Sequence, residues 1–183
     1  SRGNSRWDLI DVVRCFYALR PDSLNWPTRP DGAPSFKLED LTAANGLEHG
    51  AAHDAMSDVT ATLALARALR SADRALFDVL LSMRFKARVE ALVDTNAMTP
   101  LVYVSGLMGT ECACLGVIAP LAVHPEYKSD IICADLTREP DFLSTTPEEI
   151  QARLFAKGDE LTSPGDRPGL MTIKVNKAPV LLP

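Results

Sequence analysis

Residues 48–66 read EHGAAHDAMSDVTATLALA and carry the most specific pattern of this 183-residue chain. Alanine and leucine favour a helix after Asp54, whereas Gly50 interrupts helical structure before it. His53 and Asp58 are five residues apart, which is about 140° of rotation on an ideal helix. Their side chains can therefore converge on one reacting centre only if His53 precedes the helix or lies at its start. An imidazole base beside a metal-binding carboxylate predicts the activation of a water molecule.

This pattern resembles a known family. The spacing His-x-Ala-x-x-Asp-Val, followed by a helix of small residues, is similar to the third sequence motif of the DEDDh 3′-to-5′ exonucleases. Residues 35–47, SFKLEDLTAANGL, resemble the short helix and turn that lead into that motif. Nearly the whole chain is similar to the bacterial exodeoxyribonuclease I branch of this family. The further segments that carry this similarity are Asn4–Arg14, Leu76–Asp78, Pro100–Gly106, Ala119–Leu121 and His124–Glu126.

The resemblance implies an α+β chain in two parts. Residues 1–72 would be the C-terminal part of an RNase H-like α/β exonuclease domain. Residues 73–183 would be a β-rich SH3-like barrel domain with inserted helices, truncated in this chain, that helps enclose single-stranded DNA. The composition changes around Ser71-Ala72-Asp73, and we place the domain boundary there.

The resemblance also implies roles for individual residues. His53 would take the proton from the attacking water, and Asp58 would bind magnesium, of which the intact enzyme holds two ions. Lys37 is at a position where the family usually has a basic residue facing the substrate phosphates. We expect Arg14 and Arg20 to contact phosphates as well.

A function and a set of partners follow from the same family. The expected activity is degradation of single-stranded DNA from its 3′ end to nucleoside 5′-monophosphates, in DNA repair and recombination. The expected protein partner is the acidic C-terminal tail of the single-stranded-DNA-binding protein, and the expected oligomeric state is a monomer.

The chain departs from the family in its acidic residues. DEDDh enzymes need an Asp-x-Glu on their first strand and a further Asp in a second motif, and no Asp-x-Glu precedes His53. We therefore interpret the chain as an internal fragment. We predict that it does not hydrolyse DNA alone, because one carboxylate and one imidazole cannot hold a pair of metal ions.

Composition limits the surfaces available for DNA. The chain is 46% apolar with a net charge of −5 and a pI near 5.2, which argues against a wholly basic surface and confines any groove to a local patch. Besides Arg14, Arg20 and Lys37, a second basic group lies on the central helices, where solvated helix faces are the simpler interpretation. Its members are Arg67, Arg70, Arg74, Arg84, Lys86 and Arg88. Composition alone adds weaker candidates in the second half, namely Tyr127, Lys128, Lys174, Asn176 and Lys177.

The four cysteines show no Cys-x-x-Cys spacing, so free thiols are expected rather than a zinc site. His49 lacks a helix that would align it with His53 on a metal, and we expect it to be structural. Without a signal-like N-terminus or an apolar run of about 20 residues, a cytoplasmic setting is expected.

Periodicity and turn residues predict the secondary structure. We expect a helix capped by Ser5 or Asp8 and stopped by Pro21, and a second from Leu38 to Ala44. A third, from Asp54 to Leu69, should bury Ala55, Val59, Thr62 or Leu63, and Ala66. A helical stretch should then cover 75–93, with Leu76, Leu80, Met83, Ala87 and Leu92 on one side. Strands are expected at 101–104, 114–118, 130–134 and 171–175, with a helix from Thr145 or Thr146 to Ala156.

Two alternatives stay open. The parent could be another DEDDh nuclease, such as a polymerase proofreading subunit or an oligoribonuclease, although those relatives end soon after the third-motif helix. The chain could instead be a non-catalytic module that binds nucleic acid or protein. An upstream Asp-x-Glu in a longer reading frame would distinguish the nuclease from the module.

Overall fold

The computed structural model describes residue 5 and residues 7–47, 55–155 and 169–183. Helices dominate the first half of this part of the chain, and an antiparallel sheet dominates the second. The helices are α1 (Leu9–Leu19), α2 (Leu38–Ala44), α3 (Ala55–Ala72), α4 (Arg74–Ser82), α5 (Lys86–Glu90) and α6 (Pro147–Phe155). The strands are β1 (Leu101–Val104), β2 (Leu115–Val123), β3 (Asp130–Asp135), β4 (Leu170–Lys174) and β5 (Val180–Leu182).

Helix α1 forms as its capping residues predict. The Asp8 carboxylate accepts a hydrogen bond from the Ile10 amide at 3.1 Å, which satisfies a donor that the first turn leaves open. At the other end the Arg20 amide donates to the Phe16 carbonyl at 2.8 Å, and Pro21 follows. The apolar spacing buries Val12, Val13, Cys15 and Phe16, so the predicted packed helix is confirmed.

The proline-rich loop between α1 and α2 is fixed by Trp26. Its indole N–H donates to the Pro21 carbonyl at 2.7 Å, and its ring packs edge-on against Tyr17 at 5.4 Å. Helix α2 then ends at Ala44, and Gly46 follows with a φ of 62°, the left-handed conformation expected for an Asn-Gly helix end.

The prediction for the buried face of α3 is wrong at Val59 and Leu63, which are 53% and 50% exposed, and Thr62 is exposed as well. The helix instead buries Ser57, Ala61, Leu65 and Leu69, at i, i+4 spacing, against α1, α2 and α4. Helix α3 is apolar around most of its circumference, so the spacing of its apolar residues is compatible with two different buried faces. The packing of α1 and α2 selects one of them and leaves the other exposed.

The helical stretch predicted for 75–93 is two helices, because the chain turns at Met83–Phe85 between α4 and α5. Leu76, Leu80 and Met83 are buried as expected, whereas Ala87 is exposed. Val89 is the buried residue of the short α5. A five-residue helix presents a single apolar position to the core, so the longer periodicity does not continue through it.

The sheet is a curled antiparallel half-barrel with strand order β4-β3-β2-β1-β5. Each of the four predicted strands forms, and β2 continues past Ile118 to Val123 through a register shift between Pro120 and Ala122. Strand β5 pairs with β1, from Val102 opposite Leu182 to Val104 opposite Val180. This strand was not predicted, because three residues between prolines give no usable alternation.

Two apolar cores support these elements. The first joins α1, α3 and α4 and extends to the sheet through Val104, Cys114 and Val180. The second core joins Met83 and Val89 to Ile118, Ile131, Ile173 and other apolar side chains of the half-barrel. Within the described part of the chain, every helix is too short or too polar to cross a membrane.

Candidate functional site

A groove of about 670 Å³ runs between the start of α1, the start of α2 and α3. Its walls are mostly apolar, and its polar members are Asp8, Lys37 and Thr62. The lining residues are Trp7, Asp8, Leu9, Ile10, Val13, Phe36, Lys37, Leu38, Leu41, Thr62, Leu63, Leu65 and Ala66.

Asp58 lies in the first turn of α3, one turn before Thr62 and on the same face of the helix. The Thr62 hydroxyl donates to the Asp58 backbone carbonyl at 2.8 Å, and this bond ties the two residues along the helix. The Asp58 side chain is exposed and has no ion-pair partner among the described residues. An exposed carboxylate one helical turn from Thr62, which lines the groove, fits one ligand of Mg²⁺, an ion that is usually held by one or two carboxylates plus substrate phosphate. The described residues contain no cluster of three or more possible metal-binding side chains.

His53 and His49 lie outside the described residues. The convergence of His53 and Asp58 therefore stays a prediction.

Lys37 borders the same groove as the face of α3 that carries Asp58. It is the residue before α2, its side chain is 70% exposed, and its ammonium lies 3.8 Å from the Glu39 carboxylate. An exposed ammonium with one loose acidic neighbour is available to a phosphate. Of the predicted site residues that the structure describes, Lys37 lines the groove, and Asp58 lies one helical turn before the lining residue Thr62.

Arg14 is enclosed between α1 and the turn after β1. Its guanidinium forms an ion pair with Asp11 at 2.6 Å and lies 6.0 Å from the centre of the Phe36 ring. It also packs against Gly106, and its Nε is buried with no partner among the described residues. These contacts hold Arg14 as a link between the two halves of the chain.

Arg20 lies at the far end of α1, about 18 Å along the helix axis from Asp8. Its Nε donates to the Asp73 carboxylate at 2.7 Å. Asp73 also caps α4 by accepting from the Leu76 amide at 2.9 Å. That amide and the guanidinium of Arg20 together lower the pKa of Asp73. Arg20 thus faces a different surface from the groove.

The second basic group lies on several helix surfaces. Arg70 and Arg74 share the carboxylate of Asp78, at 3.3 and 3.4 Å, and border a shallow cavity of about 440 Å³ with Arg67 and Ser71. Further along, the Arg84 guanidinium covers the ring of Phe85 and Lys86 pairs with Glu90. These exposed pairs agree with the interpretation of solvated helix faces.

Two positions that contact the predicted phosphate-binding arginines are not identified from the sequence, namely Asp73 beside Arg20 and Gly106 beside Arg14. Asp73 lies at the predicted domain boundary, and an Asp just before a helical segment is also a capping signal. The contact of Gly106 with Arg14 has no local signal, because 92 residues of chain separate the two positions.

Comparison with known proteins gives a family match over the second part of the chain. Residues 84–183, more than half of the chain, match the family whose description is the Exonuclease I SH3-like domain. Exodeoxyribonuclease I of Haemophilus influenzae is 46% identical over 99% of this chain, which spans 39% of that relative's length.

Solved structures show similarity to the same enzyme. Escherichia coli exonuclease I in complex with a dA16 oligonucleotide is 43% identical and superposes with a TM-score of 0.90 over 98% of this chain and 38% of its own. A solved complex of ExoI with SSB-Ct is 42% identical, with a TM-score of 0.89 over 97% of this chain and 38% of its own. Because the family match covers the half-barrel and the likeness to these enzymes continues through the helical half, the chain belongs to the exodeoxyribonuclease I family.

Proposed function

We propose that this chain is part of a longer magnesium-dependent exonuclease that degrades single-stranded DNA from 3′ to 5′ and releases nucleoside 5′-monophosphates. The observation that carries the proposal is the 46% identity to an exodeoxyribonuclease I over 99% of the chain. That relative is longer, and the chain spans 39% of it. The oligonucleotide in the E. coli structure supports single-stranded DNA as the substrate.

In this proposal the groove beside α3 receives the 3′ end of the strand. Asp58 would hold magnesium, which supplies charge at the scissile phosphate when it is bound. His53 takes the proton from the attacking water, since imidazole titrates close to neutral pH. The exposure of Asp58 and its lack of an ion-pair partner in the described residues support its role.

Lys37 is proposed to contact a substrate phosphate at the edge of this groove. A lysine supplies charge without the two-pronged geometry of arginine, so it attracts the phosphate without fixing its orientation. Arg20 is proposed to contact phosphate outside the groove, where the phosphate would replace the Asp73 carboxylate as the partner of its guanidinium. For Arg14 we keep the proposed phosphate role, together with the packing role that its contacts support.

We propose the domain division that the sequence predicts, with residues 1–72 in an RNase H-like exonuclease domain and 73–183 in the SH3-like domain. The exposed face of α3 supports the first assignment. Met56 and Val59 are 68% and 53% exposed, lie on one side of the helix and do not line the groove. In the longer protein this side would pack against the sheet of the exonuclease domain.

The chain alone is proposed to be inactive, because one carboxylate and one imidazole cannot hold a pair of metal ions and the described residues contain no group of three or more possible metal-binding side chains. The purified chain is mixed with single-stranded DNA and Mg²⁺, and the longer protein serves as the positive control. The expected result is that only the longer protein releases nucleotides. Robust release by the chain would contradict this part of the proposal.

The partners proposed for the longer protein are those expected for this family. The complex of ExoI with SSB-Ct supports the acidic C-terminal tail of the single-stranded-DNA-binding protein as a partner. We also propose that the longer protein is a monomer that acts in the cytoplasm, in DNA repair and recombination. The bacterial origin of the relatives supports the cytoplasmic setting.

Direction and substrate are tested together with the longer protein. One single strand is labelled at its 3′ end and an identical strand at its 5′ end, and both are incubated with Mg²⁺. The expected result is immediate release of the 3′ label as a mononucleotide, with the 5′ label retained until late, and resistance of a blunt duplex. Early loss of the 5′ label, internal cuts, or binding without hydrolysis would contradict the proposal, and the last result would favour a non-catalytic module.

A further inference from the structure

We propose that Arg29 binds a second phosphate of the substrate strand, in a cavity that lies across α2 from the groove. This inference rests on the proposed function, and Arg29 is not one of the residues that the sequence predicts to contact phosphate. We call the cavity the α2 pocket and define it by Arg29, Lys37, Asp40, Ala43 and Ala44. Its volume of about 520 Å³ is within the range of cavities that hold small ligands.

Lys37 borders two cavities. It lines the groove beside α3 and also the α2 pocket. On α2, Leu41 lines the groove, whereas Asp40 and Ala44 line the pocket, so the two cavities lie on different sides of the helix. Because Lys37 is the residue before α2, a chain-like ligand that occupies both cavities crosses the start of the helix beside this ammonium. A single strand whose 3′ end is in the groove would take that path.

Arg29 is held on a tight hairpin. Its amide donates to the Ala33 carbonyl at 2.7 Å, and its carbonyl accepts from the Gly32 amide at 2.9 Å. Gly32 has a φ of 83°, which a residue without a side chain adopts readily. The Ser35 amide donates to the Pro27 carbonyl at 2.8 Å and closes the base of the hairpin. The backbone under Arg29 is therefore fixed, so binding costs only the ordering of its side chain.

The hairpin is also attached to α2. The Ser35 hydroxyl donates to the Asp40 carboxylate. Before the hairpin, the Asn25 amide donates to the Asn45 side chain at 2.8 Å, and the Asn45 side chain donates back to the Asn25 carbonyl at 2.9 Å. These bonds hold the hairpin, and Arg29 with it, at a constant place beside the helix.

The two cations of the pocket have weak partners. Nη2 of Arg29 lies 3.2 Å from the Asp31 carboxylate, and the ammonium of Lys37 lies 3.8 Å from that of Glu39. Neither of these acids is among the residues that line the pocket. Asp40 does line it, but its carboxylate is already hydrogen-bonded to the hairpin. Exposed ion pairs contribute little stability, so a phosphate can replace Asp31 or Glu39 at small cost.

The two cations would hold different phosphates of one strand. A helix with its side chains is about 10–12 Å across, so a strand that crosses the start of α2 has one phosphate at Lys37 and another in the pocket. With the 3′ end in the groove, the phosphate at Arg29 is the one nearer the 5′ end. A guanidinium can pair with two phosphate oxygens, whereas an ammonium supplies only charge. Arg29 would therefore orient the strand that Lys37 attracts.

The test measures the affinity of the longer protein for oligo(dT) of about 20 nucleotides without Mg²⁺, which separates binding from hydrolysis. Each oligonucleotide of a series carries one neutral methylphosphonate linkage, at successive positions from the 3′ end. Arg29→Ala is expected to weaken binding of the unmodified strand about three- to five-fold, and to abolish the effect of the neutral linkage at one position only. Lys37→Ala should abolish that effect at a position nearer the 3′ end.

Three further variants complete the test. Arg29→Lys keeps the charge but not the paired geometry, so its affinity should fall between those of Arg29→Ala and the unchanged protein. Asp31→Asn keeps the acceptor for the Ala33 amide and removes the competing charge, so it should strengthen binding about two-fold. Arg138→Ala is the matched control, because this exposed arginine also lies 3.2 Å from an aspartate, Asp135, and it should bind like the unchanged protein.

Equal affinity of Arg29→Ala and the unchanged protein would overturn the inference. A loss in Arg29→Ala that leaves the effect of every neutral linkage in place would overturn it as well. The proposed function has its own readout, which is nucleotide release from the 3′ end by the longer protein with Mg²⁺. Normal release together with normal binding by Arg29→Ala would reject the Arg29 contact alone. A position-specific loss of binding in a protein that releases no nucleotides would reject the proposed function alone.

Discussion

The guanidinium of Arg14 lies so close to Gly106 that a Cβ at position 106 would be 2.9 Å from Nη2 and 3.0 Å from Cζ. This contact joins α1 to the turn after β1, and hence the helical half to the half-barrel. The ion pair with Asp11 keeps the guanidinium in place. The link depends on a residue without a side chain at position 106.

Gly106→Ala is therefore expected to destabilise the chain by about 1 kcal/mol, because the added methyl group must displace a pinned guanidinium. The measurement is the free energy of unfolding in urea. In an Arg14→Ala background the same substitution should cost less by about 0.5 kcal/mol or more, since the obstacle is gone. Equal costs in the two backgrounds would show that the contact does not couple the halves.

Asp73→Ala is expected to lower the melting temperature, because α4 loses its cap and Arg20 loses its partner. Asp73→Asn keeps an acceptor for the Leu76 amide and should lower it less. The pKa of Asp73 is lowered in the folded state, so its ionised form contributes stability above the ordinary pKa of 3.8. That contribution is lost as the pH falls through the lowered folded pKa. The difference between wild type and Asp73→Asn should therefore shrink as melting is measured at lower pH, and a constant difference would contradict the assignment.

The cysteines should differ sharply in reactivity. Burial raises the pKa of Cys15 and of Cys133 to about 12, and burial also raises the pKa of Cys114, whereas Cys112 is exposed. Iodoacetamide at pH 8 should modify Cys112 first, with the other three protected until the chain unfolds, because the thiolate is the reactive form. Mass spectrometry of the modified chain gives the sites. Modification of Cys15 or Cys133 at the rate of Cys112 would contradict the described core.

The same pKa shifts have a stability consequence. Unfolded cysteines ionise near pH 9, whereas buried Cys15 and Cys133 stay protonated to about pH 12. The unfolded state therefore releases protons first, and the chain should lose stability as the pH rises from about 9 to 12. Urea unfolding of Cys133→Ala should show a smaller loss over that range than the unchanged chain.

Elements with explicit end signals could be predicted from the sequence. Asp8 and Pro21 bound α1, Asn45-Gly46 ends α2, and Thr146 with Glu149 caps α6, where the Thr146 amide donates to the Glu149 carboxylate at 3.0 Å. The buried face of α3 could not be predicted, because an alanine-rich helix is apolar on several sides and its neighbours decide which side is covered. Strand β5 is defined by its pairing with β1, and three residues carry no pattern of their own.

The candidate site was predictable in part. The motif around Asp58 identified the family, and the comparisons confirm that membership. That Lys37 and the Asp58 face of α3 border one groove depends on the packing of α2 against α3, which no local pattern encodes. For Arg14 and Arg20, the charge of the residue alone does not predict whether the guanidinium is available to DNA. Each has an acidic partner in the fold, and only the structure reveals those partners.

The central claim is that His53 and Asp58 act on the same scissile phosphate. It is tested most directly by the rate of nucleotide release from single-stranded DNA, with Mg²⁺, by the longer protein carrying His53→Ala or Asp58→Ala. Thr60→Ala is the matched control, because Thr60 is an exposed neighbour about 200° around α3 from Asp58. The account predicts losses of about 100-fold or more for both variants and a normal rate for the control. A rate near wild type for either His53→Ala or Asp58→Ala would contradict it.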